Sequence, residues 1–270
     1  MLEATTPAPV AALPIVETAA EAFARYRLAH DNGGLIQNAW HDVGDDGRHL
    51  ACGLGILGGD VKRPKDCPAQ VMPLWLAQMV PHFFDNQPFD DAKAWGLSFY
   101  EQLQRLDGEI PFSVVHDWRA NIACVMNIEW LEARSLDTAK EKAVQALHLR
   151  ALLGDTAPEA EWKEALQAAY ASASASASAY AYASASASAS AYAYAYASAY
   201  ASAYASAYAS AYASASAYAS AYAYASAYAS ASAYASAEER EAAIRRLSAG
   251  MVECLSRVVK AEGQGGPAGS

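Results

Sequence analysis

Four side chains able to bind a metal or to act in nucleophilic catalysis lie close together near the start of the chain: His41, Asp42, His49 and Cys52. If residues 49–57 form a helix, His49 and Cys52 lie three positions apart on one face and could ligate zinc, with the other two as further ligands. The same cysteine, with a histidine as base and Asp42 to orient it, could act as a thiol nucleophile. The spacing matches no zinc module, and the sequence marks no oxyanion site. We therefore predict a capped loop with a buried cysteine, without metal, cofactor or enzymatic activity.

The remaining motifs are weaker signals. Residues 42–47 carry carboxylates but lack the alternating ligand spacing and the closing glutamate of an EF-hand. The glycines of residues 53–59 do not follow a clear strand, as those of a dinucleotide-binding loop do. His82, His116 and His148 fall on expected helices beside apolar residues, so we interpret them as core or boundary histidines.

The spacing of apolar residues predicts the elements that would position these side chains, and most of them are helices. The clearest pattern lies in residues 113–134, where Val114, Trp118 and Ile122 share one side. Glycines in the short apolar run 49–57 allow close backbone approach, as in a tightly packed helix or a core strand. We expect helices over residues 17–30, 69–85, 90–106, 113–134, 136–153, 238–260 and from 159 onward. The predicted fold class is mainly α.

A low-complexity tract occupies residues 169–237, with alanine at every odd position and serine or tyrosine at every even one. It holds 35 alanines, 19 serines and 15 tyrosines and no charged residue, glycine or proline. Such a tract offers no general base, metal ligand or phosphate-binding loop. It could instead form a long, regular and uncharged surface.

Two structures remain open for this tract. Alanine is the best helix former, and serine or tyrosine costs only about 0.5 kcal/mol relative to it, so a helical rod or hairpin is one prediction. The strict two-residue period is the alternative signal, because it would place all alanines on one face of a strand and all hydroxyls on the other, as in a β-solenoid or stacked sheet.

Composition bounds the partners and the compartment. The formal net charge is −10 and no run of lysine or arginine occurs, so we expect no nucleic-acid binding. The four cysteines are scattered without a C-x-x-C pair, which is typical of reduced thiols in a cytoplasmic protein. No stretch approaches the roughly 20 apolar residues of a membrane span, so we expect no membrane insertion.

These patterns predict five regions along the chain. They are a disordered leader (1–16), a helical globular domain (17–157), the repeat (158–237), an amphipathic closing helix (238–262) and a disordered tail (263–270).

Three short motifs and the repeat resemble a group of uncharacterised bacterial and phage-encoded alanine-rich proteins. The motifs are LACGLG at residues 50–55, DCP at 66–68 and LWLA at 74–77, followed by Phe84-Asp85. Some proteins of this appearance are labelled immunity proteins of toxin systems, so the resemblance implies an acidic face that binds a basic toxin. The tract departs from the looser alanine spacings of that group.

The function we expect is non-enzymatic. Fifteen tyrosines cannot all be buried on so thin an element, and exposed aromatic hydroxyl rows favour self-association or a protein partner. We therefore predict a repeat protein that binds a protein partner, or further copies of itself as a homo-oligomer, through the surface of the tract. The alternatives are the immunity-type protein and a protein that binds ice or a polymer surface. The binding residues we name are Tyr192, Tyr196, Tyr200, Tyr204, Tyr208 and Tyr212.

Overall fold

A computed structural model of the chain describes residues 13–155, 157–158, 160–169 and 237–259. This part is mainly helical, which confirms the predicted class. Residues 170–236 lie outside the described residues, so the choice between helix and sheet for the tract stays a prediction. Most of the leader and the whole of the tail also lie outside them. In the described part, no helix is both long enough and apolar enough to cross a membrane.

The described residues fall into two compact units. The first holds those within Met1–Asp85, Phe89–Pro111 and Val252–Ser270, and the second holds those within Asn86–Pro88 and Phe112–Met251.

The first unit begins with α1 (Ala19–Asp31). Thr18 caps this helix by accepting a hydrogen bond from the Glu21 N–H, and the chain leaves it through Gly33 at φ +67°. Strands β1 (His41–Val43) and β2 (His49–Ala51) then form an antiparallel hairpin. The unit continues with two 3-10 turns and three helices. These are the turns Gly55–Leu57 and Pro64–Asp66 and the helices α2 (Leu74–Ala77), α3 (Val80–Asp85) and α4 (Phe89–Leu106).

Two open points of the sequence analysis are decided in this unit. Of the helix and the strand left open for the run 49–57, the structure has the strand: β2 is followed by a 3-10 turn, because Gly47 at φ +79° turns the chain back and β1 takes up the backbone hydrogen bonds of β2. The helix expected over 69–85 begins only at Leu74 and is divided at Pro81, the residue that the sequence marks as a helix breaker. Pro81 has no N–H and its ring would clash with the carbonyl of residue 77, so the helix breaks and Pro81 lies in the first turn of α3.

Helix α1 packs on α4 through a buried pair of tyrosines. The rings of Tyr26 and Tyr100 stack with their centroids 4.8 Å apart. The Tyr26 hydroxyl donates to the Lys93 carbonyl at 3.2 Å, and the Tyr100 hydroxyl donates to the Gly53 carbonyl at 2.5 Å. The second bond ties α4 to the segment that follows the hairpin.

The second unit is built around one long helical run. Helix α5 (Ser113–Trp118) continues through a π-helical turn (Arg119–Ala123) into α6 (Cys124–Glu132). Helix α7 (Ala139–Leu152) packs on all three parts of the run. Residues 160–169 are helical (α8), and α9 spans Ala237–Arg257, with its residues up to Met251 in this unit. The structure confirms that residues 113–134 and 136–153 are mainly helical, but the π-helical turn was not predicted.

Candidate functional site

The hairpin brings together two of the predicted site residues. His41 lies opposite Ala51 in the ladder, so it is diagonal to His49, and the two imidazole centroids are 5.1 Å apart. The His41 Nε2–H donates to the Val61 carbonyl at 3.0 Å, because a carbonyl can only accept. The Nδ1 atoms of both rings are buried and have no hydrogen-bond partner among the described residues. Burial and the neighbouring His41 lower the pKa of His49.

Cys52 and Asp42 are engaged elsewhere. The Cys52 Sγ accepts the Gly55 N–H at 3.3 Å, and burial raises the pKa of its thiol, which is the opposite of what a nucleophilic cysteine needs. The Asp42 carboxylate accepts the N–H of Val43 at 2.8 Å on the surface. In the described ranges no three His, Cys, Asp or Glu side chains are arranged to hold a metal ion. The geometry therefore supports neither the zinc set nor the thiol nucleophile.

A second polar cluster lies in the core of the other unit, and the sequence analysis did not predict it. His148 is 0% exposed, Arg119 is 3% exposed and Glu141 is 8% exposed. Buried side chains of these types are rare, since removing a charge from water costs several kcal/mol unless it is compensated. The cluster is therefore the most unusual chemical feature of the described residues.

The π-helical turn positions Arg119 in this cluster. Its wider turn bonds the Cys124 N–H to the Arg119 carbonyl five residues earlier. The Ala120 carbonyl accepts instead from the Gln145 side-chain amide of α7, at 2.8 Å. Turns of this kind occur most often as single bulges, and frequently at functional sites.

Two histidines from different helices share one hydrogen bond at the centre of the cluster. The Nδ1 atoms of His116 on α5 and His148 on α7 are 3.0 Å apart, so one of them donates and the other accepts. Burial lowers the pKa of both rings, and for His148 the charge of Arg119 contributes as well and the value falls to about 2.

Trp162 of α8 covers this histidine pair. Its ring lies edge-on to His148 at 4.8 Å between centroids and tilted to His116 at 5.9 Å. Only 5% of Trp162 is exposed, because Leu147 and Ala157 enclose the rest of the ring. The described part of α8 reaches residue 169, where the tract begins, so this contact anchors the helix that precedes the tract.

Cys124 completes the cluster. Burial raises the pKa of its thiol to about 12. Arg119 opposes this rise with its positive charge, whereas Glu141 adds to it with a negative charge and a hydrogen bond. A thiol held in this way stays protonated at neutral pH and serves packing rather than nucleophilic attack.

Comparison with known proteins gives no relative: no family model matches the chain, and no curated protein or solved structure matches it. The resemblance to alanine-rich immunity proteins therefore stays a hypothesis.

The six tyrosines named as binding residues all lie outside the described residues. The interpretation of His116 and His148 as core or boundary histidines is confirmed by their burial, but their mutual contact was not predicted. That contact joins positions 32 residues apart on two helices, and no periodic signal marks it. The sequence did offer one signal for this cluster: each of the two helices carries a charged residue among apolar ones, Arg119 in the first and Glu141 in the second.

Proposed function

We propose that this chain is a non-enzymatic repeat protein whose uncharged Ser/Tyr tract mediates self-association or binding to a protein partner. The proposal rests on the sequence of the tract and on the way the described helices hold its two ends.

One observation carries the proposal: the helices on both sides of the tract are anchored in the same compact unit. At the first end, α8 is held by the buried ring of Trp162. At the other end, the Trp118 indole N–H donates to the Leu247 carbonyl of α9 at 2.8 Å, and Arg246 pairs with Glu129. The described helices on both sides of the tract therefore belong to one folded unit, which suits a tract that presents its surface to another molecule.

The composition of the tract favours protein contact over other roles. Tyrosine combines a large apolar ring with a hydroxyl and has few rotamers to lose, so it is enriched at protein interfaces. The absence of charge in residues 169–237 removes the electrostatic repulsion that keeps like surfaces apart. Copies of such a tract can meet without a charge penalty.

Sedimentation velocity on the full-length chain tests this proposal. In the test variant the six named tyrosines become serine, which the tract already contains; in the matched control the interleaved serines become alanine, which removes hydroxyls but keeps the rings. The control positions are Ser198, Ser202, Ser206, Ser210, Ser214 and Ser216. We expect wild type and control to associate with rising concentration, and the tyrosine variant to sediment as a monomer.

Two outcomes count against the proposal. A wild-type chain that stays monomeric at every concentration contradicts self-association and leaves only binding to a different protein. Association that survives the loss of the tyrosines but not of the serines shows that the aromatic rows are not the contact surface.

A further inference from the structure

The histidine pair beneath Trp162 can hold its protons in two neutral arrangements, and the surroundings favour one of them. The His148 Nε2 is buried and has no hydrogen-bond partner among the described residues, and the Arg119 charge acts on this ring. A proton on Nε2 would add partial positive charge to a buried ring on which the Arg119 charge already acts, whereas a bare Nε2 leaves partial negative charge there. The favoured tautomer therefore has His148 Nδ1–H donating to the lone pair of His116 Nδ1, with His148 Nε2 unprotonated.

In this arrangement a further proton is unfavourable at both ring positions that could take it. One free lone pair is on His148 Nε2, which is buried and under the positive charge of Arg119. The other acceptor, His116 Nδ1, is already used by the shared hydrogen bond. Protonation must place a second cation beside Arg119 or break the Nδ1 to Nδ1 bond.

The groups around the pair do not compensate such a charge. The charged and titratable groups of this cluster are Arg119 on the π-helical turn, Cys124 on α6 and Glu141 on α7. Glu141 bonds the Cys124 thiol and its Oε1 has no hydrogen-bond partner among the described residues, but of these three groups Arg119 alone acts on the His148 charge. From α8 the nearest group is the uncharged ring of Trp162, while Glu161 of that helix pairs with Arg150 at the surface.

We propose that the His116–His148 pair is an acid-sensitive latch that holds Trp162, and with it the helix at the root of the tract, only while both imidazoles are neutral. This latch goes beyond the function proposed above, since it operates whatever the tract binds.

The sign of the pH dependence follows from the two lowered pKa values. The closed latch binds fewer protons than an open one, in which both rings titrate near the ordinary histidine pKa of about 6.5. Closure is therefore complete above that pH and weakens as the pH falls below it. Each ring lowers the equilibrium constant for closure by up to about tenfold for each unit by which the pH falls.

The test follows Trp162 by ¹⁹F NMR of the full-length protein labelled with 5-fluorotryptophan, its resonance assigned with Trp162→Phe. Between pH 7 and pH 4 we expect this resonance to move to the position of an exposed indole. Trp118 lies in the same unit as Trp162, is buried and donates its indole N–H to the Leu247 carbonyl, so it reports unfolding of that unit and should keep the resonance of a buried indole over the same range. If Trp162 changes only together with Trp118, the latch is overturned.

A double variant, His116→Phe with His148→Leu, removes both titrating rings and replaces them with apolar groups of similar size. We expect its transition at Trp162 to vanish or to shift by at least about one pH unit toward acid, since each lost ring removes up to about tenfold per unit. An unchanged midpoint contradicts the latch.

If the double variant does not fold, histidine ¹⁵N shifts of the wild type at pH 7 remain decisive. They should show His148 with a protonated Nδ1 and a bare Nε2, and the reverse tautomer refutes the arrangement.

Discussion

At the scale of single residues, the hairpin of the first unit depends on close backbone approach at Gly55. A Cβ at this position would lie 2.0 Å from the Trp40 carbonyl oxygen and 3.2 Å from the His41 ring. Because the nearest obstacle is backbone, it cannot rotate away as a side-chain end would. The Gly55 N–H also donates to the Cys52 Sγ. The absence of a Cβ at Gly55 therefore helps to position two of the predicted site residues, His41 and Cys52.

We expect Gly55→Ala to destabilise the first unit by about 3 kcal/mol, the upper part of the range for overpacking. Urea denaturation followed by circular dichroism measures the loss. Gly34→Ala is the matched control, since a Cβ there meets only ordinary contacts with Ala29 at 3.5–3.6 Å. Equal stability of the two variants would show that the backbone yields at Gly55.

At the scale of elements, the π-helical turn changes which side chains the long helix buries. One extra residue in the turn rotates all that follows by about 100° relative to an uninterrupted α-helix. Arg119, the first residue of the turn, lies in the core, and Gln145 satisfies the carbonyl that the wider turn leaves free. The bulge and its partner on α7 therefore form one structural unit.

Replacing Gln145 with leucine should cost about 1–3 kcal/mol, because the Ala120 carbonyl then loses its donor in a part-buried position. Thermal unfolding measures the difference, with the exposed Gln104→Leu on α4 as control. A Gln145→Leu protein as stable as wild type would mean that the free carbonyl reaches another donor.

How far the sequence predicts these elements depends on the range of the interactions involved. Helix α4 was predicted within one residue at its start, since the period of its apolar face is a local property. The hairpin was missed, because the apolar run 49–57 has no alternation and the strand at its start pairs with residues six to ten positions earlier. The histidine pair depends on how α5 meets α7, which no local pattern encodes.

At the scale of the whole molecule, charge and tract are separated along the chain. The net charge of −10 lies entirely outside residues 169–237. In an assembly formed through the tract, the charged parts of each copy would repel one another, while the tract itself would contribute no repulsion. The strength of association should therefore be limited by long-range repulsion between the charged parts of the copies rather than by the contact between their tracts.

Added salt should accordingly strengthen self-association. Raising NaCl from 0.01 M to 1 M shortens the screening length from about 30 Å to about 3 Å, and the association constant from sedimentation should rise with it. The six-tyrosine variant keeps the same charge and should remain monomeric throughout. Weaker association at high salt would indicate that ion pairs hold the copies together.

The end of α9 sets the order in which the protein can be completed during synthesis. Arg105 donates to the Leu255 and Val258 carbonyls, at 2.6 and 2.9 Å, across about 150 residues of chain. Leu255 is fully buried, so the first unit lacks part of its interior until the ribosome has added the 150 residues that separate Arg105 from Leu255. At roughly 5–20 residues per second this wait lasts about 8 to 30 seconds. Translation that stops within the codons of the tract would release an N-terminal fragment whose core is incomplete. Such a fragment would be readily cleaved by cellular proteases.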